Sequence, residues 1–231
     1  MNRCLWCDEA IVNQFDWLTF FTGGEHQLLC EACLSQLETI RQPVCKKCFK
    51  MSNSKRCTDC KRWERFFSGD DPLEKNVSSF RYNEFLQEMI AKWKYRGDYV
   101  LGSVFEREIK RAFKFHYHAL LKEAVIVPIP LSKSRMDERG FNQSEAIAEM
   151  ATDDRKKIVQ LFERIDDEKQ AKKTRAERIF AKNPFKLLKT TNKTVILVDD
   201  IYTTGTTLRH AARLLKASGC PAVYAYTLVR G

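Results

Sequence analysis

The chain has 231 residues, of which 44% are hydrophobic and 11% aromatic, and it carries a formal net charge of +10. This composition suffices for a packed core and excludes a wholly disordered chain, while the length allows one large domain or a medium domain with a small one. The longest apolar run, residues 124–131, contains two prolines and is far shorter than the ~18 residues that a membrane helix needs. The N-terminal residues lack the apolar core of a signal peptide. We therefore expect a cytoplasmic protein with no transmembrane segment, in which the nine cysteines stay reduced.

Eight of the nine cysteines lie in the first 60 residues, as four pairs whose members are separated by two residues. Two such pairs place four thiolates around one metal in a tetrahedral site that suits zinc. The order of the pairs predicts two structural zinc sites, formed by Cys4, Cys7, Cys30 and Cys33 and by Cys45, Cys48, Cys57 and Cys60. A cross-braced pairing and redox-active cysteine pairs are the alternative interpretations. We expect a zinc module over residues 1–62 and a second domain over residues 63–231.

From about residue 80 onward, the pattern alternates between helices and strands. Apolar residues at helical spacing predict helices over residues 82–95, 100–121, 142–150 and 206–218. Short apolar runs predict buried strands over residues 124–129, 194–198 and 222–229. This alternation favours an α/β fold with a parallel, doubly wound sheet.

Residues 195–207, with the sequence VILVDDIYTTGTT, carry the strongest functional signal. Asp199 and Asp200 follow an apolar strand, at the end where ligands bind in open α/β sheets. Ionised carboxylates only accept hydrogen bonds, so this pair suits the vicinal hydroxyls of a sugar. The turn that follows offers backbone N–H groups and a helix N-terminus to a phosphate, and its residues are Thr203, Thr204, Gly205, Thr206 and Thr207. The string predicts a ribose 5-phosphate site, and an ordinary strand-to-helix turn with an Asp cap is the alternative.

This string resembles the signature of type I phosphoribosyltransferases, which bind phosphoribosyl pyrophosphate (PRPP) with Mg²⁺. The resemblance implies that the acidic pair contacts the ribose and that the turn holds the 5-phosphate. It also implies a pyrophosphate loop with Lys133, Arg135 and Arg139, and a flexible basic loop with Lys172, Lys173, Arg175 and Arg178. Solvated surface charge is the competing interpretation for both basic groups.

Five features occur in one order along the chain: the cysteine pairs, KYRGD at residues 94–98, RGFNQ at 139–143, QAKKTRAER at 170–178 and VILVDDIYTTG at 195–205. Together they resemble the ComF family of late competence proteins. The resemblance implies an α/β, type I phosphoribosyltransferase-like parallel sheet with a small N-terminal double zinc ribbon. It further implies a role in natural transformation, with incoming single-stranded DNA and the competence helicase as partners, at the membrane-associated DNA-uptake machinery.

Two functions remain open at this point. The first is a DNA-handling protein that uses the phosphoribosyltransferase fold as a binding module, with DNA contacts from Lys92, Lys94 and Arg96 and base stacking by Trp93, Tyr95 or Phe180. Residues 155–194, with 13 basic and 5 acidic side chains, are the most basic stretch. Because Trp93 lies on an apolar helical stripe, a place in the core is the alternative for it. The second function is an active phosphoribosyltransferase that transfers the ribosyl group from PRPP to an unknown nucleophile; no acceptor site is recognisable.

Overall fold

A computed structural model describes residues 2–11, 27–42, 45–95, 98–165 and 183–231 of the chain. The central sheet contains β1 (Lys75–Arg81), β2 (Val125–Pro128), β5 (Val195–Tyr202) and β6 (Val223–Arg230). These strands pair in parallel in the order β1–β6–β5–β2. β3 (Phe162–Arg164) and β4 (Phe185–Leu187) form a short antiparallel pair outside this sheet. The predicted α/β fold with a parallel sheet is confirmed.

The helices of the described residues are short; the first two precede β1, and the other five lie between strands along the chain. They are α1 (Glu31–Ser35), α2 (Thr58–Phe66), α3 (Glu84–Tyr95), α4 (Glu106–His116), α5 (Lys133–Arg139), α6 (Gln143–Ala151) and α7 (Thr206–Ala217). Short 3-10 segments cover Tyr99–Phe105, Leu120–Lys122 and Arg155–Lys157. None of the helices in this described part has the length and apolarity needed to cross a bilayer.

The helix predicted over residues 100–121 is interrupted. Its first part, Tyr99–Phe105, is a 3-10 segment, and the α-helix α4 covers only Glu106–His116. Gly102 packs directly against the buried indole of Trp93, and a Cβ at Gly102 would lie 2.8 Å from the indole nitrogen. This contact confirms that Trp93 belongs to the core, where its exposed fraction is 0%.

Alternate residues of the strands face two hydrophobic clusters. Ile196 and Val198 of β5 pack with the helices α3, α4 and α6, whereas Val195 and Leu197 pack with α7. Successive side chains of a strand point to opposite faces of a sheet, so the two clusters lie on opposite faces. Cys4 and Cys33 belong to the first cluster, and all four cysteines from Cys45 to Cys60 belong to the second. The two cysteine groups therefore pack on opposite faces.

β1 was not among the predicted strands, because its sequence KNVSSFR is polar at several positions that the sheet buries. The amide of Asn76 donates hydrogen bonds to the hydroxyls of Ser78, at 2.9 Å, and Thr227, at 3.2 Å. Ser79 bonds the hydroxyl of Tyr226 at 2.7 Å. Since β6 supplies Thr227 and Tyr226, the polar side chains of β1 are satisfied by the neighbouring strand.

The predicted boundary between residues 62 and 63 falls inside α2. Cys57 and Cys60 lie at the beginning of this helix and the buried Trp63 in its middle. The cysteine module thus continues without a linker into the segment that leads to β1, and the two-domain division stays a prediction.

Candidate phosphate-binding site and metal centres

The eight N-terminal cysteines form two groups of four sulfurs. Within each group all sulfurs lie within 4.8 Å of one another, and the groups follow the sequential pairing rather than the cross-braced one. Sulfur–sulfur distances are 3.6 Å for Cys7–Cys30 and 3.5 Å for Cys48–Cys57. A tetrahedron with Zn–S bonds of ~2.3 Å has sulfurs about 3.8 Å apart. Both groups can therefore hold zinc, as a double zinc ribbon requires.

The two groups differ in exposure. In the first Cys4 group (Cys4, Cys7, Cys30 and Cys33), Cys7 is exposed, whereas all members of the second Cys4 group (Cys45, Cys48, Cys57 and Cys60) are buried. Burial opposes ionisation of Cys4, but hydrogen bonds from backbone N–H groups of Cys7 and Cys30 outweigh it and lower its pKa to about 6. A thiolate of this kind is the form that binds a metal.

The acidic pair lies in the carboxyl-terminal half of β5, which continues to Tyr202 instead of ending before Asp199 as predicted, and both residues are only partly exposed. Asp199 accepts a hydrogen bond from the Ser144 hydroxyl at 3.3 Å, and Asp200 forms an ion pair with Lys94. Burial and the neighbouring charge of Asp200 raise the pKa of Asp199 to about 7. Burial acts on Asp200 too, but the ion pair with Lys94, the backbone N–H group of Ile201 and the charge of Arg139 together outweigh it, so the pKa of Asp200 is lowered. The pair therefore carries one firmly ionised carboxylate and one that titrates near neutrality.

The phosphate turn, defined as residues 203–207, joins β5 to α7 in the predicted way. Gly205 is the N-cap of α7 and has φ +77°, a left-handed conformation that favours glycine. The hydroxyls of Thr204 and Thr206 bond each other at 2.8 Å, whereas Thr203 is exposed. The turn thus combines a helix N-terminus, backbone N–H groups and threonine hydroxyls, the groups that bind a phosphate.

The predicted pyrophosphate residues lie beyond the adjacent strand β2. They belong to α5, a short helix whose N-cap Ser132 accepts a hydrogen bond from the backbone N–H of Arg135. Lys133 and Arg135 are exposed. Arg139 donates to the side-chain oxygen of Gln143 at 3.0 Å, and its charge helps to lower the pKa of Asp200. Their predicted role as pyrophosphate contacts stays a prediction.

The residues predicted to contact DNA have different surroundings. Lys92 lies over the ring of Trp6, with its nitrogen 5.4 Å from the ring centroid, and pairs with Asp98 at 3.4 Å. The side chain of Lys94 is 14% exposed and pairs with Asp200, which places it at the acidic pair. Outside the described residues are Arg96, Lys172, Lys173, Arg175, Arg178 and Phe180. The side chain of Tyr95 is outside the description too.

Several side chains of the site carry no signal in the sequence. Ser144, two residues after the helix cap Asn142, contacts Asp199. Trp63, Arg209 and Arg230 contact the phosphate turn from its interior side. These residues belong to no motif in the sequence. Most of them are far along the chain from the residues they contact, so only the folded structure reveals the contacts.

Residues 137–231 match the family model described as phosphoribosyl transferase domain. The fold and the site thus define a protein built on a phosphoribosyltransferase domain with an N-terminal cysteine module. The chain is 36% identical over 231 residues to competence protein ComFC of Bacillus subtilis, an alignment that covers 98% of this chain and 94% of that protein. It is 32% identical to competence protein ComFC of Streptococcus pneumoniae, over 99% and 100% of the two chains. It is also 25% identical to competence protein F of Haemophilus influenzae, over 87% and 90%. The chain belongs to the ComFC family of competence proteins, which confirms the resemblance seen in its motifs.

Proposed function

We propose that this protein serves competence for DNA uptake and that the carboxyl end of β5 binds PRPP. The observation that carries the proposal is the placement of the acidic pair two residues before a phosphate turn whose Gly205 opens a helix of 12 residues. Backbone N–H groups of the turn would hold the 5-phosphate. Asp199 and Asp200 would accept hydrogen bonds from the ribose hydroxyls.

The same carboxylates suit the Mg²⁺ that accompanies PRPP. Carboxylate oxygens are preferred ligands of Mg²⁺, which usually keeps several waters and binds one or two protein carboxylates together with substrate phosphates. When bound, the ion would neutralise charge on the diphosphate. Before binding, Lys94 supplies the positive charge at Asp200. In this proposal Lys94 offsets the repulsion between the two partly buried carboxylates in the unliganded protein, before PRPP and Mg²⁺ bind.

The role in DNA uptake rests on the names of the relatives and on the charge of the chain. The relatives are called competence proteins, and this chain has a formal net charge of +10. Basic segments attract the phosphates of nucleic acid. We place single-stranded DNA and the competence helicase among the partners and expect a cytoplasmic protein recruited to the membrane-associated uptake machinery.

The acidic pair is tested by comparing PRPP binding in the wild type with binding in an Asp199→Asn/Asp200→Asn double variant. We expect a loss of at least ~100-fold, because two charge-assisted acceptors are removed. Asp153 and Asp154 are adjacent, exposed aspartates elsewhere in the chain. An Asp153→Asn/Asp154→Asn double variant makes the same change in charge and should bind PRPP as the wild type does. Unchanged affinity in the first variant would refute the site.

DNA binding is tested by titrating single-stranded DNA at increasing salt concentrations. Because phosphate contacts release counterions, the affinity should fall linearly with salt on a double-logarithmic plot. The Asp199→Asn/Asp200→Asn variant should keep DNA binding if the two ligands occupy different sites. An affinity that does not change with salt would exclude the basic segments as the DNA contact.

Catalysis is the second candidate function, and the acidic pair favours it, because carboxylates beside the ribose would stabilise the positive charge that develops on the sugar during transfer. Release of pyrophosphate from PRPP, measured with ammonia or single-stranded DNA as the acceptor, tests this activity. If PRPP binds but no pyrophosphate is released with either acceptor, the domain does not catalyse transfer to ammonia or to single-stranded DNA and serves as a binding module.

A further inference from the structure

The second Cys4 group is part of the core that carries the phosphate turn. Its four cysteines are between 0% and 3% exposed. They belong to the same hydrophobic cluster as Tyr202, which ends β5, and Leu208, in the first turns of α7. The residues on both sides of the phosphate turn therefore pack in one unit with the cysteines.

Arg230 connects the second Cys4 group to the beginning of the turn. Its side chain donates to the Cys48 carbonyl at 3.0 Å and contacts the Cys48 sulfur at 3.4 Å. The same guanidinium donates to the carbonyls of Tyr202, at 3.1 Å, and Thr203, at 3.2 Å. Arg230 is 3% exposed, so it makes these contacts out of water. A rigid planar fork of this kind fixes the relative positions of its partners.

Trp63 and Arg209 connect the same group to the rest of the turn. The indole of Trp63, three residues after Cys60 in α2, donates to the Thr204 carbonyl at 2.7 Å. Arg209 stacks on the Trp63 ring at 4.7 Å and donates to the Gly205 carbonyl at 3.4 Å. Arg209 also pairs with Asp71 at 2.8 Å.

Asp71 extends this network back to the cysteines. It lies 3.5 Å from the side-chain nitrogen of Lys47, and Lys47 stands between Cys45 and Cys48 in the same cysteine pair. Asp71 therefore bridges the guanidinium of Arg209 and the side chain of Lys47, which lies within the cysteine pair.

The contacts together hold four consecutive carbonyls, those of residues 202–205, on the side of the second Cys4 group. In a trans peptide the N–H group points away from the carbonyl of the same unit. The N–H groups of residues 203–205 therefore point to the side opposite the cysteines, whereas the N–H group of Thr206 donates to the Thr204 hydroxyl at 3.3 Å. Successive N–H groups with a common direction form an anion-binding concavity.

We propose that metal binding at the second Cys4 group controls the phosphate turn, with Arg230 and Trp63 as the positioning residues that transmit it. The ligand concerned is the 5-phosphate of PRPP, so the inference rests on the proposed function. Zinc in this group fixes Cys48 and the beginning of α2, and these fix the carbonyls of the turn. Loss of zinc releases the carbonyls and lowers the affinity for the phosphate.

The first Cys4 group provides an internal control. Cys4 and Cys33 pack with Leu86 and Met89 in the cluster on the opposite face of the sheet. Its exposed member Cys7 can be changed with little effect on packing. Zinc loss from this group should leave the phosphate turn intact.

The experiment uses the full chain in four variants, with zinc content, PRPP affinity and amide hydrogen exchange of residues 203–207 as measurements. Trp63→Phe removes one donor and Arg230→Met removes the fork, and both keep all eight zinc ligands. We expect both to retain two zinc ions, to bind PRPP roughly tenfold more weakly, and to show faster exchange in the turn. Cys57→Ser and Cys7→Ser each remove one ligand, from the second and the first group respectively. Only Cys57→Ser should accelerate exchange in the turn.

The outcomes separate this inference from the proposed function. If the wild type does not bind PRPP, the proposed function fails, while the exchange rates still decide whether the cysteine group controls the turn. If Trp63→Phe and Arg230→Met exchange as the wild type does, the inference is overturned. It is equally overturned if Cys7→Ser loosens the turn as much as Cys57→Ser does. Should Cys57→Ser not fold, Trp63→Phe, Arg230→Met and Cys7→Ser still decide whether the two positioning residues hold the turn, and unchanged exchange in Trp63→Phe and Arg230→Met still overturns the inference.

Discussion

At the scale of single residues, the chemistry of the site depends on a charge balance among three side chains. Asp199 and Asp200 are adjacent and partly buried, and Lys94 pairs with Asp200. Burial and then the charge of Asp200 raise the pKa of Asp199 to about 7, and the single lysine beside the pair does not offset both effects. Two predictions follow from this imbalance.

The first concerns the pH dependence of stability. The pKa of Asp199 is raised from 3.8 to about 7 in the folded chain, so the folded state holds a proton that the unfolded state has lost. The free energy of unfolding therefore falls as pH rises from about 4 to about 7. Asp199→Asn cannot ionise and should gain stability over the wild type by roughly 2 kcal/mol more at pH 8 than at pH 5.

Urea unfolding at the two pH values measures this difference. The exposed Asp153 provides the control, because Asp153→Asn should change stability by less than ~0.5 kcal/mol at both pH values. A gain for Asp199→Asn that is equal at pH 5 and pH 8 would contradict the raised pKa.

The second prediction concerns Lys94. Lys94→Met removes the positive charge that faces Asp200 and leaves two carboxyls together, so we expect a loss of roughly 2–3 kcal/mol of unfolding free energy at pH 8. In an Asp200→Asn background the same change should cost much less, because the ion pair is already absent. Lys92→Met, two residues earlier at a more exposed side chain, should cost less than ~1 kcal/mol. A double-mutant cycle with no coupling between Lys94 and Asp200 would show that the pair does not stabilise the fold.

At the scale of elements, the turn between β5 and α7 determines the geometry of the site. Gly205 combines φ +77° with close packing, because a Cβ there would overlap the Tyr202 hydroxyl and the Arg209 guanidinium. Gly140, the C-cap of α5, has a similar φ of +75° but open space around the position of a Cβ. A comparison of alanine substitutions at these two glycines therefore separates the cost of backbone strain from the cost of steric overlap.

Gly205→Ala should therefore destabilise the chain by ~3 kcal/mol or more, since it adds overlap to strain. Gly140→Ala should cost only the strain of a left-handed residue, about 1–2 kcal/mol. Thermal unfolding of both variants measures the difference. Equal costs would mean that Tyr202 and Arg209 yield easily and that the turn is not held firmly.

At the scale of the whole molecule, the two cysteine groups pack on opposite faces of one sheet. Each group of four sulfurs contributes to a hydrophobic cluster that also contains helices of the phosphoribosyltransferase domain. Metal binding at these groups would therefore be coupled to folding of the domain as well as of the N-terminal segment.

Elemental analysis of the purified chain should give two zinc ions per molecule, one for each group. Cys220 is buried at 3% exposure and lies far along the chain from both groups. Its thiol donates to the Lys193 carbonyl at 3.3 Å. Cys220→Ser should keep both zinc ions and cost about 1 kcal/mol. A zinc content near one, or a loss of zinc in the Cys220→Ser variant, would be incompatible with the two groups.

The spacing of residues in the sequence predicted those features that are formed by residues close together along the chain. Four cysteine pairs predicted the two groups of zinc ligands, because each pair separated by two residues supplies two ligands from one turn and two pairs complete a tetrahedral site. The run of residues 195–207 predicted a strand, a turn and a helix in direct succession, and the structure shows this succession over residues 195–217. Periodicity likewise predicted β2, β5, β6 and α7 within a few residues.

Only the tertiary structure decided which distant residues meet. β1 is a strand because Thr227, 151 positions from Asn76, satisfies a polar side chain that would otherwise be buried without a partner. Lys94 faces Asp200 because α3 packs beside β5, although its place in a basic stretch suggested DNA. Arg230 and Trp63 reach the phosphate turn because the second Cys4 group packs against the same core. The sequence by itself therefore determined which chemical groups this protein carries. The packing of α2, α3 and β6 around β5 decided how these groups are held, because those contacts join segments that are far apart along the chain and that no spacing in the sequence connects.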